Sequence, residues 1–236
     1  MADWLTPDEL LTTTRAVRRR LDLTRPVPRE LIEECLRVAQ QAPCGSGRHV
    51  LHWVVVTEPR TRARLGEIYR AAFADQHGSG AGGGSDNGGG ADGGPTDGVA
   101  GTEAGRGAAP AGVRAGSAAQ RSLASAVWLA EHLGQVPVLL LACVVTPEPL
   151  PQGNQAGLWG SVLPGVWSFM LAARARGLGT AWTTAHLRRE AEVARLLGIP
   201  AGTHQVALVP TAFHRGDTFR PATRPPLADV LHDQRW

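Results

Sequence analysis

The stretch MLAARARGLGTAWTTAH, Met170 to His186, decides how the chain is read. Its first half ends a long apolar helix that the pattern predicts from Leu158 to Arg176, and Gly177 supplies the residue type at which helices commonly stop. A short strand follows over Gly179 to Thr184, then a helix from Leu187 to Leu197 closed by Gly198 and Pro200. Thr183 and Thr184 therefore end a strand just before a helix. Backbone N–H groups at a helix start lack intrahelical partners and can donate to a ring nitrogen or a carbonyl oxygen. Taken alone, the segment reads equally well as an ordinary strand-to-helix turn.

Working outward, Val136 to Val145 (VPVLLLACVV) is a ten-residue apolar run without alternation, which predicts a strand covered on both faces. His204 to Phe213 is the last strand. On the N-terminal side, Thr6-Pro7-Asp8-Glu9 combines an N-cap, a first-turn proline and a capping-box acid. Pro28 to Gln41 places Leu31, Ile32, Cys35, Leu36 and Ala39 on one helical face. Leu51 to Thr57 is β-rich, and Glu58 to Ala74 and Ala118 to Leu133 are helical. Helices separate successive strands, but two helices come first. That order favours a three-layer α+β arrangement over a simple doubly wound sheet.

One shift in composition interrupts this order. From His77 to Gln120 lie 16 of the chain's 29 glycines and no aromatic residue. Such a stretch cannot bury enough apolar surface to offset its ordering entropy, so residues 77–118 are expected to be a disordered insert. A G-x-G-x-x-G match at Gly78, Gly80 and Gly83 follows no strand and opens no helix, so it carries no nucleotide reading. Without the insert, roughly 190 residues remain, enough for one sizeable core, and 1–236 reads as a single domain.

Composition also excludes chemistries. All 24 basic side chains are arginine. Without lysine there is no Walker-A phosphate lysine, no Schiff-base nucleophile and no kinase-type lysine. The three cysteines form no C-x-x-C pair, which argues against a zinc ribbon or a disulfide framework, and no metal site is expected. The net charge is +3, and the arginines form no stripe with interleaved aromatics, so nucleic acid is not the expected partner. No uninterrupted run of about 18 or more apolar residues occurs, so no membrane span is expected, and the acidic N-terminus does not read as a secretory leader; a cytoplasmic location is the default expectation.

Three further segments can carry chemistry. TTTRAVRRR, Thr12 to Arg20, puts four arginines in six positions after a helix end; they repel one another unless an anion lies among them, and the guanidinium fork suits phosphate. APCGSGRH, Ala42 to His49, is rich in small residues that let backbone approach a flat or phosphorylated ligand. FRPATRPPL, Phe219 to Leu227, is a proline-stiffened arm with two arginines that can reach a phosphate. The plain readings are a solvated basic turn, a helix-to-strand connection and a loose tail.

Taken in order, TRAVRRR, APCGSGRHVLHWVVV, MLAARARGLGTAWTT, LLGIPAG, VALVPTAF and TRPPLADVLHDQRW resemble the FMN-dependent nitroreductase family over nearly the whole chain outside the glycine insert. The resemblance implies a three-layer α-β-α fold with a central, mostly antiparallel sheet, and a homodimer with FMN at the subunit interface. It implies cofactor contacts from Arg15, Ala16 and Arg18, from Cys44, Gly45 and Ser46, from Thr183, Thr184 and Ala185 at the ring, and from Arg224 at the phosphate. It also implies that the helix around Val162 to Arg174 forms much of the dimer interface. The activity implied is transfer of hydride from NADH or NADPH through the flavin to a nitroaromatic, quinone or related small acceptor. The cofactor carries that chemistry, so no catalytic side chain is required. Alternatives are a dehydrogenase or dehalogenase of a specific metabolite, or a flavin-sequestering dimer with little turnover.

The chain departs from the family pattern at several places. Thr14 stands for the first arginine and Ala16 for the serine of the first motif. Gly47 and His49 stand for the asparagine and glutamine of the second, Val50-Leu51 for its Pro-Trp, and Trp167-Ser168 for the Gln-Asn of the long helix. Ala222 stands for a basic partner of Arg224. Arg19, Arg48 and Arg220 are the candidates to take over the missing contacts.

Overall fold

A computed structural model describes residues 5–47, 50–78, 118–146, 150 and 152–236. Helix α1 (Pro7–Thr13) begins with the expected capping box: the Glu9 N–H donates to Thr6 Oγ1 at 3.2 Å and the Thr6 N–H to Glu9 Oε2 at 2.8 Å. In α2 (Arg29–Ala39), Ile32, Cys35 and Ala39 are buried, with Leu31 and Leu36 packed beside them. The other helices are α3 (Pro59–Gly78), α4 (Ala118–His132), α5 (Ala156–Gly160), α6 (Leu163–Ala175) and α7 (Glu190–Leu197). Strands β1 (Leu51–Val56), β2 (Val138–Val145), β3 (Leu178–Thr180) and β4 (Thr203–Phe213) form one antiparallel sheet in the order β1-β2-β4-β3.

Strand β2 explains the layering. Leu139, Leu141 and Cys143 point to one face, where they meet Leu65 and Tyr69 of α3, Leu129 of α4 and Val193 of α7. Val138, Leu140, Ala142 and Val144 point to the other, against α2 and α6. The apolar run lacks alternation because both faces are covered. Each fully buried aliphatic side chain contributes about 1.5–3 kcal/mol by its burial. The result is the expected α+β, three-layer α-β-α architecture.

Three boundaries differ from expectation. The helix expected over Leu158 to Arg176 is two helices, α5 and α6. Proline inside a helix removes a hydrogen bond and clashes with the preceding turn, and the break lets Pro164 sit in the first turn of α6. The apolar stretch 156–175 satisfies the length and composition of a membrane span, but Gly165, Val166, Phe169, Met170, Ala172 and Ala173 are buried within the protein's own core. The strand expected over Gly179 to Thr184 pairs with β4 in register over Leu178–Thr180, with a further 3.4 Å bond from the Ala181 N–H to the Pro210 carbonyl, then meets it again at an isolated bridge, Thr183 to Leu208. Helix α7 is preceded by a 3₁₀ turn, Ala185–Arg189, and ends as expected at Gly198 with φ 64°. Most of the stretch read as a disordered insert, 79–117, lies outside the described residues.

His186 in that turn is fully buried, and neither ring nitrogen has a hydrogen-bond partner among the described residues. Burial pushes its pKa down to about 4. The unfolded chain therefore takes up a proton near pH 6.5 that the folded chain refuses. Stability present above pH 6.5 is lost as the pH falls toward 4, by roughly 3 kcal/mol in all. In urea titrations His186→Leu should flatten this dependence; an unchanged slope between pH 6.5 and 4 would refute the assignment.

Candidate functional site

The arginine segment after α1 is held as an extra edge beside the sheet. The Val17 N–H donates to the Thr180 carbonyl at 2.7 Å, the Asp22 N–H to that of Phe213 at 2.7 Å, and Leu21 bridges His214. Val17 and Leu21 turn inward and are buried. Gly179 permits this approach: a Cβ there would stand 2.8 Å from Val17 Cγ1. With Val17 anchored, Arg15, Ala16, Arg19 and Arg20 are exposed, and Arg18 is half-buried.

The arginines are sorted by what they hold. Arg15 Nη1 donates to the Arg220 carbonyl at 3.3 Å, and Arg20 Nη1 to that of Thr218 at 3.0 Å. Arg20 and Arg174 both stack on the Phe219 ring, at 4.2 and 3.8 Å from its centroid. Burial, and then the charge of Arg20, lower the pKa of Arg174. The start of the C-terminal arm is thus clasped to the arginine segment, which puts Arg220 beside Arg15; Arg224, four residues on, is exposed. Arg18 Nη1 donates to Ser125 Oγ of α4 at 3.3 Å, and Arg19 lines an open hollow with Leu123, Val127 and Trp128 of α4. Among the described residues none of Arg15, Arg18, Arg19, Arg20, Arg220 and Arg224 pairs with a carboxylate. The recorded ion pairs engage Arg29, Arg37, Arg64, Arg176, Arg189 and Arg215 instead.

The Thr183 segment lies on the same side of the sheet. Its backbone is not free as the sequence suggested. The Thr183 N–H donates to the Leu208 carbonyl at 3.0 Å, and Leu208 N–H returns the bond at 2.9 Å. The amides of Thr184 and Ala185 keep no backbone partner among the described residues. The Thr183 hydroxyl meets the Tyr69 phenol of α3 at 2.6 Å. Burial raises the phenol's pKa, while the Thr183 hydroxyl and the nearby charge of Arg18 act to lower it. Thr183 bonds this hydroxyl directly, and Arg18, far away in sequence, acts on it through its charge.

The third predicted segment lies elsewhere. Gly45–Gly47 form a 3₁₀ turn between α2 and β1, and the Gly45 N–H donates to Ser161 Oγ at 2.9 Å. Half-buried Cys44 lines a cavity of about 330 Å³ with Gln40, Gln41, Trp53, Ser161 and Gly165. At Gly165 a Cβ would stand 2.5 Å from Leu51 Cδ2, so glycine lets α6 close on β1. This pocket belongs to the α2–α6 layer, whereas Tyr69 and Arg18 sit with the α3–α4 layer. Among the described residues no hydrogen bond or ion pair joins the two. The structure describes the Ser46 backbone within the turn but not its side chain, and Arg48 lies outside the described residues.

Sequence reasoning missed Tyr69, Ser125 and Ser161. Tyr69 follows the apolar spacing of Leu65, Ile68 and Ala72 and reads as core; the one signal was that it is the chain's single tyrosine. Ser161 sits at the unforeseen break between α5 and α6.

Comparison with known proteins follows the same lines. A family model described as the nitroreductase family matches residues 11–212. No match was found among curated proteins. Among solved structures, a nitroreductase-like family protein from Bacillus cereus aligns at TM-score 0.63 and 15% identity, covering 99% of this chain and 98% of that one. An oxidised iodotyrosine deiodinase bound to FMN and 3-iodo-L-tyrosine aligns at TM-score 0.63 and 16% identity, covering 97% and 98%. The NADPH:FMN oxidoreductase from Vibrio harveyi, in complex with NAD+, aligns at TM-score 0.61 and 15% identity, covering 97% and 77%. At these identities the alignments speak for a shared fold.

Proposed function

The chain belongs to the nitroreductase family, and from that premise we propose that it is a homodimeric, FMN-dependent oxidoreductase that uses NADH or NADPH to reduce a nitroaromatic, quinone or related small acceptor. The observation that carries this reading is the set of six arginines that, among the described residues, have no carboxylate partner, on the same side of the sheet as two backbone amides with no backbone acceptor there. A phosphorylated ligand with a flat, acceptor-rich ring answers both needs. When bound, FMN accepts a hydride from the reduced nicotinamide and passes it to the acceptor.

In this reading Arg15, Arg18, Arg19, Arg220 and Arg224 hold the phosphate and the electron-rich edge of the ring. Ala16 leaves room beside them, and Thr183, Thr184 and Ala185 donate to the ring. Thr14 takes no part: its Oγ1 donates back to the Leu10 carbonyl, so the pattern's first arginine has no substitute there. Cys44, Gly45 and Ser46 complete the site across a dimer interface, since in one protomer they lie in the other helical layer.

The dimer reading has independent support. Most of α6 is used up in the protomer's own core, but Leu163 and Trp167 face outward at 37% exposure each. The arm leaves Leu227, Val230, Leu231 and Trp236 at 63% exposure or more, an apolar surface that a second protomer would cover. With NADH or NADPH as reductant, the likeness to the NAD+-bound Vibrio harveyi enzyme is in keeping. Dehalogenation of a specific metabolite is the second reading, favoured by the likeness to iodotyrosine deiodinase. A cytoplasmic location accords with three cysteines that are all free.

The purified protein incubated with FMN should turn yellow and retain the colour through gel filtration at the dimer position. Under anaerobic conditions NADH or NADPH should then bleach it, and a panel of nitroaromatics, quinones and iodophenols should restore the colour selectively. A protein that stays colourless with excess FMN would refute the flavin reading. One that binds FMN but is never bleached would leave it a sequestering dimer.

A further inference from the structure

We propose that Tyr69 is a positioning residue of the flavin site, fixing the Thr183 hydroxyl so that its hydrogen is presented to the bound ring. The proposal rests on the flavin reading above and adds a residue to it.

The argument is one of hydrogen-bond accounting. The Thr183 backbone is held in both directions by Leu208, so its one remaining freedom is rotation of the side chain. Tyr69 is itself immobilised: it is 2% exposed and packed in the core with Leu65, Ile68 and Ala72's helix against the sheet. The two oxygens are 2.6 Å apart, a short hydroxyl–hydroxyl bond. Each hydroxyl owns one hydrogen. If Thr183 donates, the phenol hydrogen is left buried without an acceptor, because Tyr69 Oη has no other partner among the described residues. If Tyr69 donates, the spare hydrogen belongs to Thr183, which is half-exposed and precedes Thr184 and Ala185, whose amides have no backbone partner among the described residues. An unsatisfied buried donor costs about 1–3 kcal/mol, so the second arrangement prevails. The Arg18 charge strengthens the phenol as a donor, and burial keeps it protonated. The outcome is a spare hydrogen on Thr183 Oγ1 followed in sequence by two amides with no backbone partner among the described residues. A ring edge rich in acceptors suits those donors.

The chain's single tyrosine makes the test direct. Protein labelled with ¹³Cζ-tyrosine shows one phenol resonance. In protein free of FMN, that resonance should titrate above pH 10, and Thr183→Val should move its pKa further up by removing the bond that lowers it. FMN addition should shift the resonance in the parent protein. Tyr69→Phe should weaken FMN binding about three- to ten-fold, read by quenching of flavin fluorescence, and alter the visible band of the bound flavin. Thr183→Val should do the same, and the double variant no more than either alone. Thr183→Ser, which keeps the hydroxyl, should restore most of the affinity.

FMN binding that is unchanged in Tyr69→Phe, or additive losses in the double variant, would overturn the positioning role while leaving the flavin reading intact. A parent protein that binds no FMN would overturn both, even with the Tyr69–Thr183 bond confirmed in the FMN-free titration.

Discussion

Replacing Arg18 and Arg224 together by alanine should leave a folded protein that loses FMN on dialysis, with affinity lower by two orders of magnitude or more. A charge-assisted hydrogen bond to phosphate is worth about 1.5–3 kcal/mol, roughly ten- to a hundred-fold in binding. The two arginines come from distant segments, and among the described residues no hydrogen bond joins them, so their effects should nearly add. They should not be equal. Arg18 is half-buried and held by Ser125, so little order is lost when it binds, whereas Arg224 is exposed and must be immobilised by the ligand. Arg18→Ala should therefore cost more than Arg224→Ala. The control is Arg29→Ala, which breaks only an exposed pair with Glu33 at 2.8 Å and should leave FMN affinity unchanged. Equal retention of FMN by the double variant and the parent, measured by fluorescence quenching, would refute the phosphate role.

The arginines of this segment, Arg15, Arg18, Arg19 and Arg20, do not all make the same contacts. Arg15 and Arg20 donate to carbonyls of the arm, and Arg20 also covers Phe219. In the sequence these four basic residues look alike. Their division of labour follows from the bonds of Val17 and Asp22 to the sheet, which set which side chain faces the arm and which faces α4. No periodicity along TTTRAVRRR encodes that.

Other features were legible for physical reasons. The capping box at Thr6 and Glu9, the glycine stop at Gly198 and the doubly covered strand β2 each follow from local rules, and each is present. The break before Pro164 was foreseeable from proline's missing N–H but was hidden by continuous apolarity on both sides of it. The bridge that takes up the Thr183 amide could not be read, because it depends on Leu208, 25 residues away and in another strand. Nor does the sequence say on which side of the sheet a helix packs. The motifs around Arg18 and Cys44 therefore appeared as one site along the chain, yet within one protomer they occupy different layers.

Helix α6 carries the last prediction, because two aromatic residues two positions apart serve opposite ends. Phe169 is fully buried, with its ring centroid 5.8 Å from that of Trp53 at a 42° tilt, and it fills the layer between α2, α6 and the sheet. Phe169→Ala removes that volume from a close-packed region whose neighbours are held by the strand register, so the cavity cannot fully collapse. The cost should be about 3–5 kcal/mol. That is a large share of the roughly 5–15 kcal/mol by which domains are stable, and should lower Tm by about 6–20 °C in a chain of this length. Trp167, by contrast, is 37% exposed and lies on the outward face with Leu163. Trp167→Ala should cost the protomer less than Phe169→Ala does, since part of the indole is already exposed. If α6 meets a second copy there, the same substitution should shift the dimer toward monomer in sedimentation at micromolar concentration. A Phe169→Ala protein as stable as the parent would contradict the packing described for this layer. A dimer indifferent to Trp167→Ala would move the interface off this helix face.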